Sequence, residues 1–257
     1  GSVCLVTNEG NLRLAKTIQK THIAVMGMER LAPTFQEVDV LITMLARSAV
    51  GAKLTGYNTW LTGPRLAGET DGPEEFHLVI VDNGRSDILA SEFQEVLRCI
   101  RCGACLNTCP AYRQIGGHGY GSSYPGPIGA VISPLLGGYD EFKELPYACS
   151  LCNACNSVCP VRIPLAQLIL KHREKMVELG KTPAMERLSI FGFTTANANP
   201  TLWKTGVNIG AKLAGKLIKN GKAPITFGAL GEWTKARDLP QADGESFRQW
   251  FNNRERG

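Results

Sequence analysis

Over residues 3–90 the apolar positions change rhythm several times. Val3-Cys4-Leu5-Val6 is a short apolar run that predicts a strand, the turn Thr7-Asn8-Glu9-Gly10-Asn11 follows, and Leu12 to Ile18 reads as a short helix. His22-Ile23-Ala24-Val25-Met26-Gly27 predicts a second strand. Thr34-x-x-Glu37 then has the form of a capping box and opens a helix running to about Ser48. Lys53–Leu61 and Phe76–Val81 (FHLVIV) predict further strands on either side of the loop GPRLAGETDGP. Strands alternating with helices argue for an α/β layer with a partly parallel sheet. The piece is small for a complete domain of that kind, and the chain opens on a strand with no initiator methionine, so a fragment lacking an N-terminal half is expected.

Further along, Ser91 to Arg98 begins a helix, and Pro164–Leu179 predicts another with Leu165, Leu168, Ile169 and Leu170 near its start and Gly180 as its stop. Pro200–Lys219 predicts a helix in which Gly206, Gly210, Ala214 and Gly215 lie among Lys204, Lys212, Lys216 and Lys219. Two readings are open: a basic helix on a membrane surface, or close helix packing at the small residues with a solvated lysine face. Phe247, Trp250 and Phe251 stand at i, i+3 and i+4, one aromatic face that folds back on its own core or anchors a partner.

The chemistry is concentrated in cysteine. Cys99-x2-Cys102-x2-Cys105-x3-Cys109-Pro110 reads CIRCGACLNTCP, and the pattern returns as Cys149-x2-Cys152-x2-Cys155-x3-Cys159-Pro160, CSLCNACNSVCP. This is the spacing of two-cluster ferredoxins. Three thiolates at intervals of three wrap a short loop round one cubane, while the fourth points away and ligates the other cluster. Two 4Fe–4S clusters are therefore expected, one held by Cys99, Cys102, Cys105 and Cys159 and the other by Cys149, Cys152, Cys155 and Cys109. Zinc suits the pattern poorly, because structural zinc sites pair a short knuckle with a second, distant pair. The runs are parted by a Gly/Pro-rich insert, YRQIGGHGYGSSYPGPIGAVISPLLGGYDEF, which with flanking helices favours a helical two-cluster domain over a compact β-rich ferredoxin.

Composition changes this picture little. A hydrophobic share of 44% in 257 residues is ordinary for a folded chain long enough for one large domain or two modest ones. The net charge of +5 does not argue for nucleic acid, and no nucleic-acid-binding signature supports that reading. No apolar stretch approaches a membrane span and no signal peptide opens the chain. Eight of the nine cysteines sit in the runs and need reduced thiols, which fits the cytoplasm; the ninth, Cys4, reads as a small buried hydrophobe.

Outside the cysteines the signals are thin. No G-x-G-x-x-G follows a strand and opens a helix, so no flavin or nicotinamide fingerprint is present. Gly116-Gly117-His118-Gly119-Tyr120-Gly121 reads as backbone wrapped close to the clusters with N–H groups toward sulfur, and His118 as a surface-loop residue. Asn8, Glu9, Arg65, Glu69 and Asp71 lie in strand-end loops, the default place for a ligand. Arg65 could grip a carboxylate in a substrate site with Glu69 and Asp71, against the alternative of turn chemistry and solvated charge. His77 opens a strand and reads as structural.

The string YRQIGGHGYGSSYPGPIGAVISPLL between the cysteine runs, VTNEGN and DGPEEFHLVIVDNGRSDIL upstream, and the tail EWTKARDLPQADGESFRQWF together resemble the lactate-utilisation protein B family of bacteria. The resemblance covers nearly the whole chain. It implies an α+β multidomain architecture: part of a sugar-isomerase/CoA-transferase-like α/β domain over 1–90, a helical dicluster ferredoxin domain over 91–180 and a helical C-terminal extension over 181–257. It further implies a role in oxidising L-lactate to pyruvate with two partner subunits. The expectation is an electron-transfer subunit, cytoplasmic or peripheral to the inner face of the membrane, passing electrons through two 4Fe–4S clusters to an external acceptor. Its rivals are a catalytic subunit whose α/β domain binds the hydroxy acid, and a zinc-stabilised interaction module.

Overall fold

The structure is a computed structural model and describes residues 1–217 and 246–254. The chain divides into two compact units, residues 1–181 and 182–257.

The first unit opens with strand β1 (Val3–Thr7), helix α1 (Gly10–Thr17) and strand β2 (Thr21–Gly27). Helix α2 (Phe35–Val50) follows, begun by Thr34, whose side chain accepts the Glu37 N–H at 3.3 Å. It is ended by Gly51 at φ 73°, a left-handed C-cap that glycine adopts without steric cost. Strands β3 (Tyr57–Leu61) and β4 (Glu75–Val81) complete this part. The strand predicted from Lys53 starts only at Tyr57. The four strands do not form the single sheet that was expected. Among the described residues β1 pairs antiparallel with β3 (Val3 opposite Leu61), and β2 pairs parallel with β4 (Thr21 opposite Glu75, Gly27 opposite Val81). The parallel pair leaves Ile23, Val25, Leu78, Val79 and Ile80 exposed. Cys4 is only half-buried in β1, so the buried-hydrophobe reading overstated its seclusion.

The helical part of this unit holds the main core. Helix α3 (Arg85–Leu89) and a 3-10 turn (Gln94–Arg98) replace the single helix expected from Ser91: the Ser91 Oγ and N–H both bond back to the Ile88 carbonyl and close α3. Each cysteine run contributes one short helix, α4 (Ala104–Thr108) and α8 (Ala154–Val158), and these two pack on each other. The Gly/Pro-rich insert between the runs is largely helical. It forms α5 (Pro110–Ile115), α6 (Gly126–Gly137) and α7 (Tyr139–Phe142), and α6 is buried from Gly126 to Pro134. Helix α9 (Leu165–Glu178) packs against α6, burying Leu165, Leu168, Ile169 and Met176, and Gly180 at φ 67° stops it as expected. Val131, Ile132 and Ile169 are shielded almost completely from solvent.

In the second unit α10 (Ala184–Ala198) and α11 (Pro200–Leu217) pack together, with Phe193 edge-on to Trp203. Asn199 begins α11 by accepting the Thr201 and Leu202 N–H groups. Among the described residues a Cβ built at Gly206 or Gly210 would meet nothing within 4 Å, so close packing is not served at these two positions. The predicted end of that helix at Lys219 lies outside the described residues. Phe247, Trp250 and Phe251 share a helix (Phe247–Arg254), with the Phe247 ring tilted against both of the others, yet Phe247 stays 75% exposed.

Candidate metal centre

The two cysteine loops are built alike, residue for residue. Gly103 and Asn153, which follow the second cysteine of each run, are left-handed at φ 78° and 64° and start α4 and α8. Arg101 and Leu151, one residue before that cysteine, are left-handed too, at 63° and 55°. This backbone turns the amide of the middle residue back onto the loop's first sulfur: Arg101 N–H onto Cys99 and Leu151 N–H onto Cys149, the latter at 3.3 Å. The fourth cysteines, Cys109 and Cys159, are extended (φ −78° and −72°) and lead out of α4 and α8. Their sulfurs accept the Tyr112 N–H at 3.5 Å and the Ile163 N–H at 3.3 Å.

The side chains gather round two cavities. The first, about 170 Å³, is lined by Cys99, Cys102, Cys105 and Cys159, with Tyr124, Ile128 and Leu165 among its apolar walls. The second is lined by Cys149, Cys152, Cys155 and Cys109 with Pro110, Pro127 and Ala166, and is much tighter, about 20 Å³. Each fourth cysteine thus sits with the other run's first three. Burial pushes the thiols up: Cys105 to about 12, by desolvation and then offset by the Ile128 amide, Cys155 to about 11, and Cys99 upward against the pull of the Arg101 amide and of the Arg101 and Arg30 guanidiniums. The thiolate is the ligand form, so a metal bound here would have to displace these protons.

The donor set fits an iron–sulfur cubane. Four sulfurs surround each cavity, the other walls are apolar except at Arg101 in the first and Ser150 and Asn153 in the second, and backbone N–H groups face sulfur as such clusters require. The walls of the second site must part to admit one. When bound, a 4Fe–4S cluster supplies reversible one-electron storage. The glycine segment takes no share in this at Gly116, Tyr120 and Gly121, whose amides bond within their own turns; the insert amides that meet sulfur are those of Tyr112, at Cys109, and Ile128, at Cys105. His118 is exposed, as expected.

Arg65, Glu69 and Asp71 line a separate cavity of about 590 Å³ beside α1 and β3, shared with Arg13, Lys16 and Trp60. Arg65 is not the free clamp its loop position allowed: its Nη2 lies 2.6 Å from Glu74 Oε1. The Glu69 carboxylate accepts the Leu66 N–H at 2.6 Å and so closes its own turn. The Asn8 carboxamide likewise accepts the Gly56 N–H. His77 stands inside β4 with its side chain exposed, not packed in a core as a structural histidine would be. Lys16 is the residue the sequence did not single out. It is 2% exposed, and its Nζ has no hydrogen-bond partner among the described residues. Burial and the neighbouring Arg13 push its ammonium below the usual lysine range, against the pull of Cys4.

Three more buried side chains were not singled out as groups in the sequence. The Tyr120 hydroxyl is buried beside Cys109, and desolvation with that sulfur's charge pushes it up to about 12. Glu29, 5% exposed at its side chain, lies 2.6 Å from Arg85 Nε and 3.5 Å from Arg101 Nη2. Burial works to raise the Glu29 carboxyl, but its backbone hydrogen bond and Arg85 outweigh that and hold it below its usual value. His172 is wholly buried between α6 and α9: its Nε2 meets the Val131 carbonyl at 2.9 Å, its Nδ1 the Tyr139 hydroxyl at 2.8 Å, and its ring stacks on Phe93.

Family models match the chain in series. A LUD domain covers residues 1–81, a 4Fe-4S dicluster domain residues 95–163, and the model described as Lactate utilisation protein B, C-terminal, residues 170–256. An Escherichia coli K12 protein named "Uncharacterized electron transport protein YkgF" is 73% identical over 251 residues, 98% of this chain and 53% of that protein. "Lactate utilization protein B" of Geobacillus thermodenitrificans is 57% identical over 258 residues, all of this chain and 54% of the relative. The protein of that name from Bacillus licheniformis is 58% identical over 255 residues, 99% of this chain and 54% of the relative. The chain spans about half the length of the curated relatives it matches. No solved structure matches it. These matches show the relationship that the sequence motifs pointed to, with the lactate utilisation protein B family.

Proposed function

We propose that this chain is the iron–sulfur, electron-transferring part of a system that oxidises L-lactate to pyruvate. Two 4Fe–4S clusters relay electrons to an acceptor outside the chain. The observation that carries the reading is the sorting of the eight cysteines: Cys159 lines the cavity of the first run and Cys109 that of the second. Two sites that exchange their fourth ligand are held together by α4 and α8 at close range, which is the arrangement one-electron transfer between them needs. In this reading residues 1–90 are part of a sugar-isomerase/CoA-transferase-like α/β domain, 91–180 the dicluster domain and 181–257 a helical extension. The chain works in the cytoplasm or at the inner membrane face beside two partner subunits. Among the described residues no helix is long and apolar enough to cross a membrane.

The test is anaerobic preparation with metal analysis. Brown protein with about eight irons per chain is expected; stoichiometric zinc without broad visible absorption would sink the reading. With L-lactate and a dye, the isolated chain should show no turnover and the set with both partners should show it. Turnover by the chain alone would move the active site into this sequence.

One observation favours a second reading, in which the α/β portion itself binds the hydroxy acid. A buried ammonium without a partner is costly, and a carboxylate in the cavity beside Lys16 would relieve that cost. Arg13 and Arg65 add positive charge, and Glu69 and Asp71 could meet a hydroxyl. Calorimetry with L-lactate on the chain and on Lys16→Met decides it: binding that the substitution removes supports the reading, and no heat with either tells against it.

A further inference from the structure

The cysteine repeat breaks its own symmetry at one position that matters. Between the first two cysteines the first run has Ile100-Arg101 and the second Ser150-Leu151. Arg101 and Leu151 have the same left-handed backbone and make the same amide contact to their loop's first sulfur. The scaffold is equal and the side chains are not. Arg101 lines the first cavity; no charged side chain lines the second. Its guanidinium lies 4.1 Å over the Tyr124 ring and 3.5 Å from Glu29, while its Nη1 is buried with no partner among the described residues. Arg30, in the turn after β2, adds a second positive charge whose field reaches Cys99. The one carboxylate on the two guanidiniums, Glu29, is drawn most closely to Arg85 at 2.6 Å. At the second site the nearest counterpart, Arg173, directs its donors to the Pro146 and Cys149 carbonyls and stands outside the cavity.

Positive charge in a poorly solvated wall favours the reduced, more negative state of whatever the adjoining thiolates hold. We infer that Arg101, backed by Arg30, makes the site of Cys99, Cys102, Cys105 and Cys159 the higher-potential of the two, so that an electron entering the chain settles there. The inference deepens the relay reading and rests on it. It also gives the relay a direction: entry at the second site, exit from the first, on the side of the turn that carries Glu29 and Arg30.

The experiment is an anaerobic redox titration followed by electron paramagnetic resonance on the fully loaded chain, on Arg101→Leu, Arg101→Lys and Leu151→Arg. Leucine at this position is already tolerated by the matching loop. In Arg101→Leu the higher-potential signal should become about tenfold harder to reduce, 59 mV for a one-electron couple, with the other signal unmoved. Arg101→Lys should keep most of the native value, which separates charge from packing. Leu151→Arg should raise the lower-potential signal. Should Arg101→Leu fail to load iron, Leu151→Arg decides alone. Midpoints unmoved in these variants, or Arg101→Leu shifting the lower-potential signal, would overturn the inference and leave the relay standing. A wild-type chain that loads no iron would instead overturn the relay.

Discussion

A Cβ at Gly129 has nowhere to go. Built on the observed backbone it would stand 1.6 Å from the Tyr124 carbonyl oxygen and 2.4 Å from the carbonyl carbon. Since Cβ atoms essentially never approach other atoms within 3.0 Å, that carbonyl would have to retreat by about 1.4 Å. It is not free to do so. Gly129 donates to the Pro125 carbonyl on the next residue, Ser133 Oγ and Ser122 Oγ bracket the Tyr124 segment, and α6 is buried on all sides here. Overpacking a core costs about 1–3 kcal/mol when side chains can yield; with backbone as the obstacle, Gly129→Ala should sit at or above the top of that range. For a unit of this size about 3 kcal/mol corresponds to a melting point lower by about 6–12 °C. The loss should be local as well as global. Tyr124 and Pro125 line the first cavity and Tyr124 carries Arg101, so iron should be lost first from the site of Cys99, Cys102 and Cys105. The assay is iron content and thermal unfolding of anaerobic protein, with Gly192→Ala as control. Nothing lies within 4 Å of a Cβ at Gly192 on α10, and alanine there should stabilise its helix by up to about 1 kcal/mol. Gly129→Ala that melts within about 2 °C of wild type and holds full iron would show that the Tyr124 carbonyl does not press on Gly129.

The ligand exchange should appear in point variants: Cys159→Ser should damage the cluster of Cys99, Cys102 and Cys105, and Cys109→Ser that of Cys149, Cys152 and Cys155, whereas spectra in which each variant loses the cluster of its own run would refute the sorting. Burial pushes His172 down to about 4, with the Val131 carbonyl and Glu92 acting the other way; the unfolded chain binds that proton near pH 6.5 and the folded chain only near 4, so stability is full above about 6.5 and falls by about 3 kcal/mol as pH drops to 4. Melting curves across that window should lose most of this slope in His172→Gln, and an unchanged slope would exonerate His172. Thr34→Ala removes the oxygen that accepts the Glu37 N–H and should cost about 1 kcal/mol in denaturant unfolding, with serine restoring it; equal midpoints for alanine and threonine would mean that the cap contributes nothing.

What the sequence made legible was the chemistry whose geometry is local. A cysteine spacing of three, three and four fixes which sulfurs one loop can point inward, so the two groups of four thiols follow from spacing alone. The capping pair Thr34 and Glu37 and the stop at Gly180 are equally local. Partners distant in sequence were not legible. Glu29 meets Arg101 across 72 residues, and His172 meets Val131 across 41, with no short-range pattern announcing either. Lys16 looks like one more lysine on an amphipathic turn, and only the packing of α1 shows it buried. The strands are legible as apolar runs, but such runs cannot say that they pair as two separate ribbons.

The glycine- and proline-rich insert is where composition says least about structure, and the reason explains its role. Glycine and proline mark loops when water surrounds them. In YPGPIGAVISP they instead let a helix start at the closest quarters in the molecule: Pro127 needs no N–H partner in the first turn, Gly126 takes φ 68°, and Gly129 admits a backbone carbonyl where a side chain would stand. The aliphatic positions among them, Ile128, Ala130, Val131 and Ile132, are all buried. The start of α6 is therefore a shared wall. Ile128 lines the first cavity and gives its amide to Cys105, and Pro127 lines the second. Two sites bounded by one buried helix cannot drift apart without opening the core that α6 makes with α9. In the relay proposed above, electron transfer between the two sites needs a fixed short separation, and this helix would fix it. Small residues in the insert are thus not slack between two cysteine loops; they are the condition for bringing the loops that close.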